Sequence, residues 1–119
     1  MMKKLLVVDD HKLTREKIIS ILRDGNYAIG STDNGYEALQ ILKKEVVDLI
    51  ITDIIMPKME GVEFIGAIKR EFPKVKIIAV SSYKPFYLKI AKEMGADAIC
   101  EKRNVTQDLL GIASNLINN

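Results

Sequence analysis

Residues 48–61 read DLIITDIIMPKMEG and contain the signals of a strand, a loop and the start of a helix. The run Leu49–Ile51 is short, apolar and rich in β-branched side chains, as in strands that are buried on both faces of a parallel sheet. The strand pattern ends at the acid Asp53, and Pro57 cannot donate to a ladder of hydrogen bonds. A carboxylate therefore lies at the carboxyl end of a central strand, which is where ligands bind in open α/β sheets.

The same alternation of buried strand and amphipathic helix continues on both sides of this stretch. We expect strands at 4–8, 27–31, 48–53, 75–80 and 96–101, and helices at about 12–24, 35–44, 61–71, 85–94 and 105–117. Gly25 follows the first helix, where a left-handed C-terminal cap is predicted, and Gly95 follows the fourth. The second strand is the most polar of the five and is predicted to lie at an edge of the sheet.

Strands that alternate with helices predict a parallel sheet with helices on both faces, joined by right-handed crossovers. For five strands the favoured doubly wound order is 2-1-3-4-5, the flavodoxin-like (βα)5 arrangement of the α/β class. It makes strands 1 and 3 neighbours at the switch point. The sequence has no repeat, no low-complexity tract and no long linker, so residues 1–119 are predicted to form one domain.

Composition excludes several classes of protein. With 48% hydrophobic and 29% charged residues, the chain is neither disordered nor fibrous. The net charge is only +2 and no long basic face is visible, so no direct contact with nucleic acid is expected. The apolar run near the start is too short for a signal peptide or a membrane span. Cys100 has no partner for a disulfide, which favours a reducing, cytoplasmic location.

Polar side chains stand at the carboxyl ends of four predicted strands. Asp9 and Asp10 follow strand 1, Asp53 ends strand 3, Ser81 follows strand 4 and Lys102 follows strand 5. Three carboxylates crowded at one edge of a sheet repel one another unless a cation intervenes. Oxygen ligands and water suit Mg²⁺, while a hydroxyl and an ammonium can contact phosphoryl oxygens. The pattern fits an aspartyl-phosphate site, in which a carboxylate is the nucleophile.

Over essentially its whole length, the sequence resembles the receiver domain of bacterial two-component response regulators. The resemblance is carried by the five polar residues above and by the segment 53–61, in the same order along the chain. It implies that Asp53 accepts a phosphoryl group from a histidine kinase or a phosphotransfer protein. It also implies that Asp10, Asp53 and the backbone carbonyl of Ile55 hold Mg²⁺ directly, and that Asp9 does so mainly through water.

The resemblance further implies that Ser81 and Lys102 bind the phosphoryl oxygens and report the modification. The surface of helix 4, strand 5 and helix 5 would then change for a downstream protein target or an output domain. Two positions depart from the family pattern: Ile99 replaces the usual aromatic switch residue, and Arg103 replaces a proline that follows a cis bond. Without that proline a cis bond costs about 2.5–4 kcal/mol, so a trans Lys102–Arg103 bond is expected.

Other interpretations remain open at this stage. An aspartate after a strand often only caps the next helix, and a lone Ser81 or Lys102 would be an ordinary surface residue. A hydrolase of the haloacid dehalogenase type also uses an aspartate nucleophile, but it needs a second aspartate where this chain has Ile55. A pseudo-receiver that is never phosphorylated and only binds a partner is the main alternative. Such proteins usually lose the acid pair or the acceptor, and this chain keeps both.

Overall fold

The computed structural model describes residues 2–56, 59, 61–81 and 85–118, without the side chain of Pro85. Pro57, which follows the end of the strand pattern in the central segment, lies outside these ranges. The described strands are β1 (Lys3–Val8), β2 (Tyr27–Thr32), β3 (Leu49–Asp53), β4 (Lys76–Ser81) and β5 (Ala98–Glu101). The described α-helices are α1 (Lys12–Leu22), α2 (Gly35–Lys44), α3 (Gly61–Glu71), α4 (Pro85–Met94) and α5 (Val105–Asn118).

The five strands form one parallel sheet in the order β2-β1-β3-β4-β5, which confirms the predicted doubly wound fold. Strand β3 lies at its centre, and all five of its residues are buried. Val8 at the end of β1 pairs with Thr52, and Asp53 pairs with Val80 of β4. The carboxyl ends of β1, β3 and β4 therefore meet at one edge, because parallel strands run in the same direction.

Two apolar layers enclose the sheet, since successive side chains of a strand point to opposite faces. Leu6 and Val8 of β1 belong to the layer that contains residues of α2, α3 and α4. Leu5 and Val7 belong to the layer that contains residues of α1 and α5. Full burial of one such side chain contributes about 1.5–3 kcal/mol, so these layers fix the positions of the strand ends.

The prediction of a left-handed cap at Gly25, after the first helix, is wrong. Helix α1 ends at Leu22, and its C-cap Arg23 has right-handed backbone angles (φ −63°, ψ −20°). The chain leaves this helix through ordinary turns, in which the Gly25 N–H donates to the Leu22 carbonyl at 3.0 Å. Among the described residues the positive φ is found at Gly95, at +120°, where a Cβ would come 2.8 Å from Lys69 Cγ. The left-handed backbone that favours glycine therefore follows α4 and not α1, although a Cβ on Gly25 would overlap the Tyr27 ring.

A turn of 3-10 helix at Lys102–Asn104 connects β5 directly to α5. None of the described peptide bonds is cis. The Lys102–Arg103 bond is therefore trans, as predicted. Arg103 is exposed and forms an ion pair with Glu101 at 2.5 Å. The turn fixes the backbone that carries Lys102 next to the end of the strand.

The two outer strands protect the edges of the sheet differently. Strand β2 lies at one edge, as predicted, and Lys4 of the neighbouring strand reaches Gly30 there: a Cβ on Gly30 would lie 3.2 Å from the Lys4 ammonium. Strand β5 forms the other edge with only four residues. Within the described ranges, no helix has both the length and the apolar surface needed to cross a bilayer.

Candidate functional site

Three carboxylates lie together at the carboxyl edge of the sheet. Asp9, Asp10 and Asp53 each contribute one oxygen, and these oxygens lie within 4.8 Å of one another. Asp9 and Asp53 are almost fully buried, with 1% and 6% exposure, while Asp10 is exposed. The pairing of β1 with β3 brings them together, as the predicted strand order required.

Lys102 lies between two of these acids. Its Nζ atom is 3.3 Å from Asp53 Oδ2, to which it donates a hydrogen bond, and 3.4 Å from Asp9 Oδ2. The contact with Asp9 lacks hydrogen-bond geometry and is an ion pair only. Asp9 Oδ2 is therefore a buried oxygen that accepts no hydrogen bond. The single ammonium of Lys102 cannot balance the three carboxylates, so the cluster keeps an excess of negative charge.

The acceptor candidate Asp53 has an unusual electrostatic environment. Burial raises the pKa of its carboxyl group above the ordinary value, the Lys102 charge opposes this rise, and the Asp9 charge adds to it. The backbone N–H of Ile54 donates to Asp53 Oδ1 at 2.8 Å, which favours the ionised form. A carboxyl group whose pKa is shifted by burial and by specific charged neighbours is characteristic of a functional site.

The donor set fits a hard divalent cation. The three acids offer only oxygen atoms, their net charge is negative, and the buried Asp9 Oδ2 has an unsatisfied lone pair. Buried polar atoms normally form hydrogen bonds, so a buried carboxylate oxygen that has an ion pair but accepts no hydrogen bond leaves a lone pair for a cation. Mg²⁺ is coordinated by oxygen and commonly uses one or two carboxylates together with water and phosphate oxygens.

Ser81 and Ile55, the other two predicted site residues, lie on the elements that border Asp53. Ser81 is fully buried at the end of β4, one residue beyond Val80, the strand partner of Asp53. Ile55 is half-buried and follows Asp53 by two residues. Their roles toward a phosphoryl group and a metal ion stay predictions.

Helix α1 holds Asp9 at two points. The backbone N–H of His11 donates to Asp9 Oδ1 at 2.9 Å, and Arg15 Nη1 donates to the Asp9 carbonyl at 2.8 Å. Arg15 was not among the predicted site residues, because a contact with a backbone carbonyl leaves no mark in a sequence pattern. The available signal is weak: a basic residue one helical turn into the helix that follows the acid pair.

Gly61 closes the loop that follows Asp53. Its N–H donates to the carbonyl of Ile54 at 2.6 Å. A Cβ at this position would overlap the carbonyl of Asp53 and the Cα of Ile54. The first residue of α3 therefore packs directly on the backbone of Asp53 and Ile54, and no side chain fits between them.

A small apolar cavity lies beside the loop that follows Asp53, with a volume of about 240 Å³. Its lining residues come from the loop after β3, from α3 and from α4: Ile54, Ile55, Val62, Tyr87 and Ile90. The ring of Tyr87 packs edge-to-face on Phe86, with 5.7 Å between the ring centres. Ile55 thus belongs to an apolar wall and follows Asp53 by two residues.

Comparison with known proteins gives a consistent result. The model of the response regulator receiver domain matches residues 5–114. A putative transcriptional regulator of Pseudomonas aeruginosa is 35% identical over 111 residues, which cover 92% of this chain and 54% of that protein. The transcriptional regulatory protein DegU of Brevibacillus brevis is 32% identical over 111 residues, covering 82% and 47%. The chain thus spans about half the length of these relatives.

Solved structures agree with the sequence comparison. The chemotaxis response regulator CheY4 of Vibrio cholerae superimposes with a TM-score of 0.87 at 28% identity, over 98% of this chain and 99% of that one. A CheY-like receiver domain protein of Methanospirillum hungatei gives a TM-score of 0.91 at 27% identity, over 99% and 95%. Both superpositions extend over nearly complete chains.

Proposed function

The chain belongs to the response regulator receiver domain family, and on this premise we propose that Asp53 accepts a phosphoryl group in a Mg²⁺-dependent reaction. The donor is a histidine kinase or a phosphotransfer protein. One observation carries the proposal: a desolvated Asp53 lies beside both Asp9 and Lys102 at the end of the central strand.

In the proposed reaction, an Asp53 carboxylate oxygen attacks the phosphorus atom and the bond to the donor breaks, leaving an acyl phosphate on Asp53. The Lys102 ammonium stabilises the negative charge of the phosphoryl oxygens, and the Ser81 hydroxyl donates to one of them. Mg²⁺, when bound, offsets the repulsion between the carboxylates and the phosphoryl group. We assign its direct ligands to Asp10, Asp53 and the Ile55 carbonyl, with Asp9 acting mainly through water.

We further propose that residues 1–119 act as one switch unit in the cytoplasm. Its modified form would present the surface of α4, β5 and α5 to a downstream protein or an output domain. In that surface the aliphatic Ile99 stands where an aromatic switch residue is usual, and its side chain is 38% exposed. The two named relatives are called transcriptional regulators and are about twice as long, whereas for this chain we propose protein partners and no direct nucleic-acid contact.

The test is phosphorylation of the purified chain by acetyl phosphate, followed by intact-mass spectrometry. We expect a mass gain of one phosphoryl group in Mg²⁺ and none in excess EDTA. The product should be lost on treatment with hydroxylamine, which cleaves acyl phosphates. If a cognate kinase and acetyl phosphate both leave the mass unchanged in Mg²⁺, the chain acts instead as a non-phosphorylated interaction module.

Ile55 should make the phosphorylated state long-lived. Its side chain lines an apolar wall beside the acceptor and offers no group that could orient an attacking water. We expect Ile55→Asn to accelerate dephosphorylation by about tenfold, well below the full contribution of a general base. The measurement is the decay of the phosphorylated mass after the donor is removed.

The matched control is Ile90→Asn, which places the same polar group in the same cavity but on α4. It should leave the decay rate within about twofold of wild type, since Ile55 follows Asp53 by two residues whereas Ile90 lies on a separate helix. Equal acceleration by both variants would show that loss of the apolar wall matters and that the position of the amide does not.

A further inference from the structure

The contacts of Asp9 show how the acid pair is held in place. Arg15 is half-buried, and its own N–H donates to the His11 carbonyl at 2.9 Å, so it belongs to the first full turn of α1. From there Nη1 donates to the Asp9 carbonyl at 2.8 Å, while the His11 N–H holds Asp9 Oδ1. Both the backbone and the side chain of Asp9 are thereby fixed to the same helix.

Asp10 has no such restraint of its own. Its side chain is exposed, and within the described part of the chain its carboxylate accepts no hydrogen bond. It nevertheless contributes an oxygen to the 4.8 Å cluster with Asp9 and Asp53. The carbonyl that Arg15 binds belongs to the peptide joining Asp9 to Asp10, and rotation of that peptide would redirect the Asp10 side chain.

We propose that Arg15 is a positioning residue, which sets the direction of the Asp10 carboxylate by holding the Asp9–Asp10 peptide. The inference rests on the proposed metal site and extends it to a residue outside the acid cluster. Ligands that are not fixed by their own contacts must be ordered by the metal when it binds, and this ordering weakens affinity. Groups that orient metal ligands typically contribute 10–100-fold to metal affinity.

The sign of the effect separates positioning from simple electrostatics. The guanidinium of Arg15 is permanently charged, so as a charge alone it repels a divalent cation bound nearby. Removing only that repulsion would tighten Mg²⁺ binding. Removing the bond to the Asp9 carbonyl would weaken it, because Asp10 would lose its fixed direction.

The experiment measures the Mg²⁺ dissociation constant of the full chain by isothermal titration calorimetry. We expect Arg15→Met, which keeps an apolar stem and loses the donor, to raise the constant by about tenfold. Arg15→Lys retains a donor and should lie between wild type and Arg15→Met. The control Lys12→Met removes a neighbouring exposed charge without touching the Asp9 carbonyl, and should leave the constant unchanged or lower it.

A second readout separates positioning from chemistry. At saturating Mg²⁺ the initial phosphorylation rate of Arg15→Met should return to within about twofold of wild type, because the metal itself then orders Asp10. An unchanged or lower Mg²⁺ dissociation constant in Arg15→Met overturns the inference, and so does weaker binding by Arg15→Lys than by Arg15→Met. A rate that stays low at saturation also overturns it, while a wild-type chain that binds no Mg²⁺ overturns the metal site itself.

Discussion

Replacing Asp53 with asparagine is expected to abolish phosphorylation completely, because the amide oxygen is a poor nucleophile and the proposed attacking carboxylate is gone. The change conserves the size of the side chain and leaves Lys102 paired with Asp9 at 3.4 Å. Intact mass after treatment with acetyl phosphate and Mg²⁺ measures the outcome. The control Asp24→Asn removes an exposed acid beyond the end of α1 and should be phosphorylated like wild type.

The same substitution should stabilise the metal-free protein at neutral pH. The pKa of Asp53 is raised in the folded state by burial, so above that pKa the native protein carries a buried charge that the unfolded chain exposes to water. As the pH falls through the folded pKa toward 3.8, the ordinary pKa of an aspartate, the native state takes up a proton first and wild type recovers stability. The advantage of Asp53→Asn should therefore be largest near neutral pH and fade in acid.

Urea unfolding in EDTA over a series of pH values measures this difference. The Asp24→Asn control has no buried charge to remove, so its stability should follow that of wild type at every pH. Two outcomes contradict the electrostatic account: a gain in the stability of Asp53→Asn that does not change with pH, or a gain in stability that grows toward acid.

The phosphorylation experiment has its own contradicting outcome. If Asp53→Asn gained the mass of a phosphoryl group to the same extent as wild type, the acceptor would lie elsewhere.

Gly61→Ala should impair both folding and phosphoryl acceptance. Its Cβ would overlap the Asp53 carbonyl and the Ile54 Cα, and these are backbone atoms that cannot rotate aside as a side chain would. Overpacking of this kind typically costs about 1–3 kcal/mol of the free energy of unfolding. The shift needed to relieve it moves the acceptor, and a displacement of about 1 Å can lower a rate by about 100-fold.

Gly111→Ala provides a control of opposite sign. Gly111 is exposed within α5, and no atom within 4 Å would meet a Cβ there. Alanine is the better helix former by about 1 kcal/mol, so this variant should be more stable than wild type and phosphorylated at the same rate. Urea unfolding and initial rates at saturating Mg²⁺ test both variants. Near-normal values for Gly61→Ala would mean that the acceptor loop can adapt without moving Asp53.

Much of the fold could be predicted because its signals are local. The β-branched run Leu49–Ile51 indicates a buried strand by itself, and the alternation of strands with helices then restricts the sheet to few topologies. The acid cluster follows from that topology, since Asp9 and Asp53 end strands that the order 2-1-3-4-5 makes neighbours. The sequence therefore predicted which carboxylates meet.

The parts that were missed depend on tertiary contacts. Gly25 and Gly95 both follow helices in the sequence, yet only Gly95 has the positive φ, because the path to the next strand decides how each helix ends. The difference in exposure between Asp9 and Asp10 could not be predicted from two adjacent identical residues. The bond from Arg15 to a backbone carbonyl was invisible for a related reason: backbone acceptors are the same at every position.

The Lys4 side chain beside Gly30 affects how copies of the chain behave at high concentration. An unpaired strand edge is a template for aggregation, and β2 presents such an edge over six residues. The Lys4 ammonium that lies over Gly30 is also 3.7 Å from a carboxylate oxygen of Glu45, so a charged pair stands beside this edge. The opposite edge, β5, is too short to template a long ladder. Crowded copies should therefore resist edge-to-edge polymerisation, and Lys4→Ala, which removes the charged side chain beside this edge, should weaken that resistance.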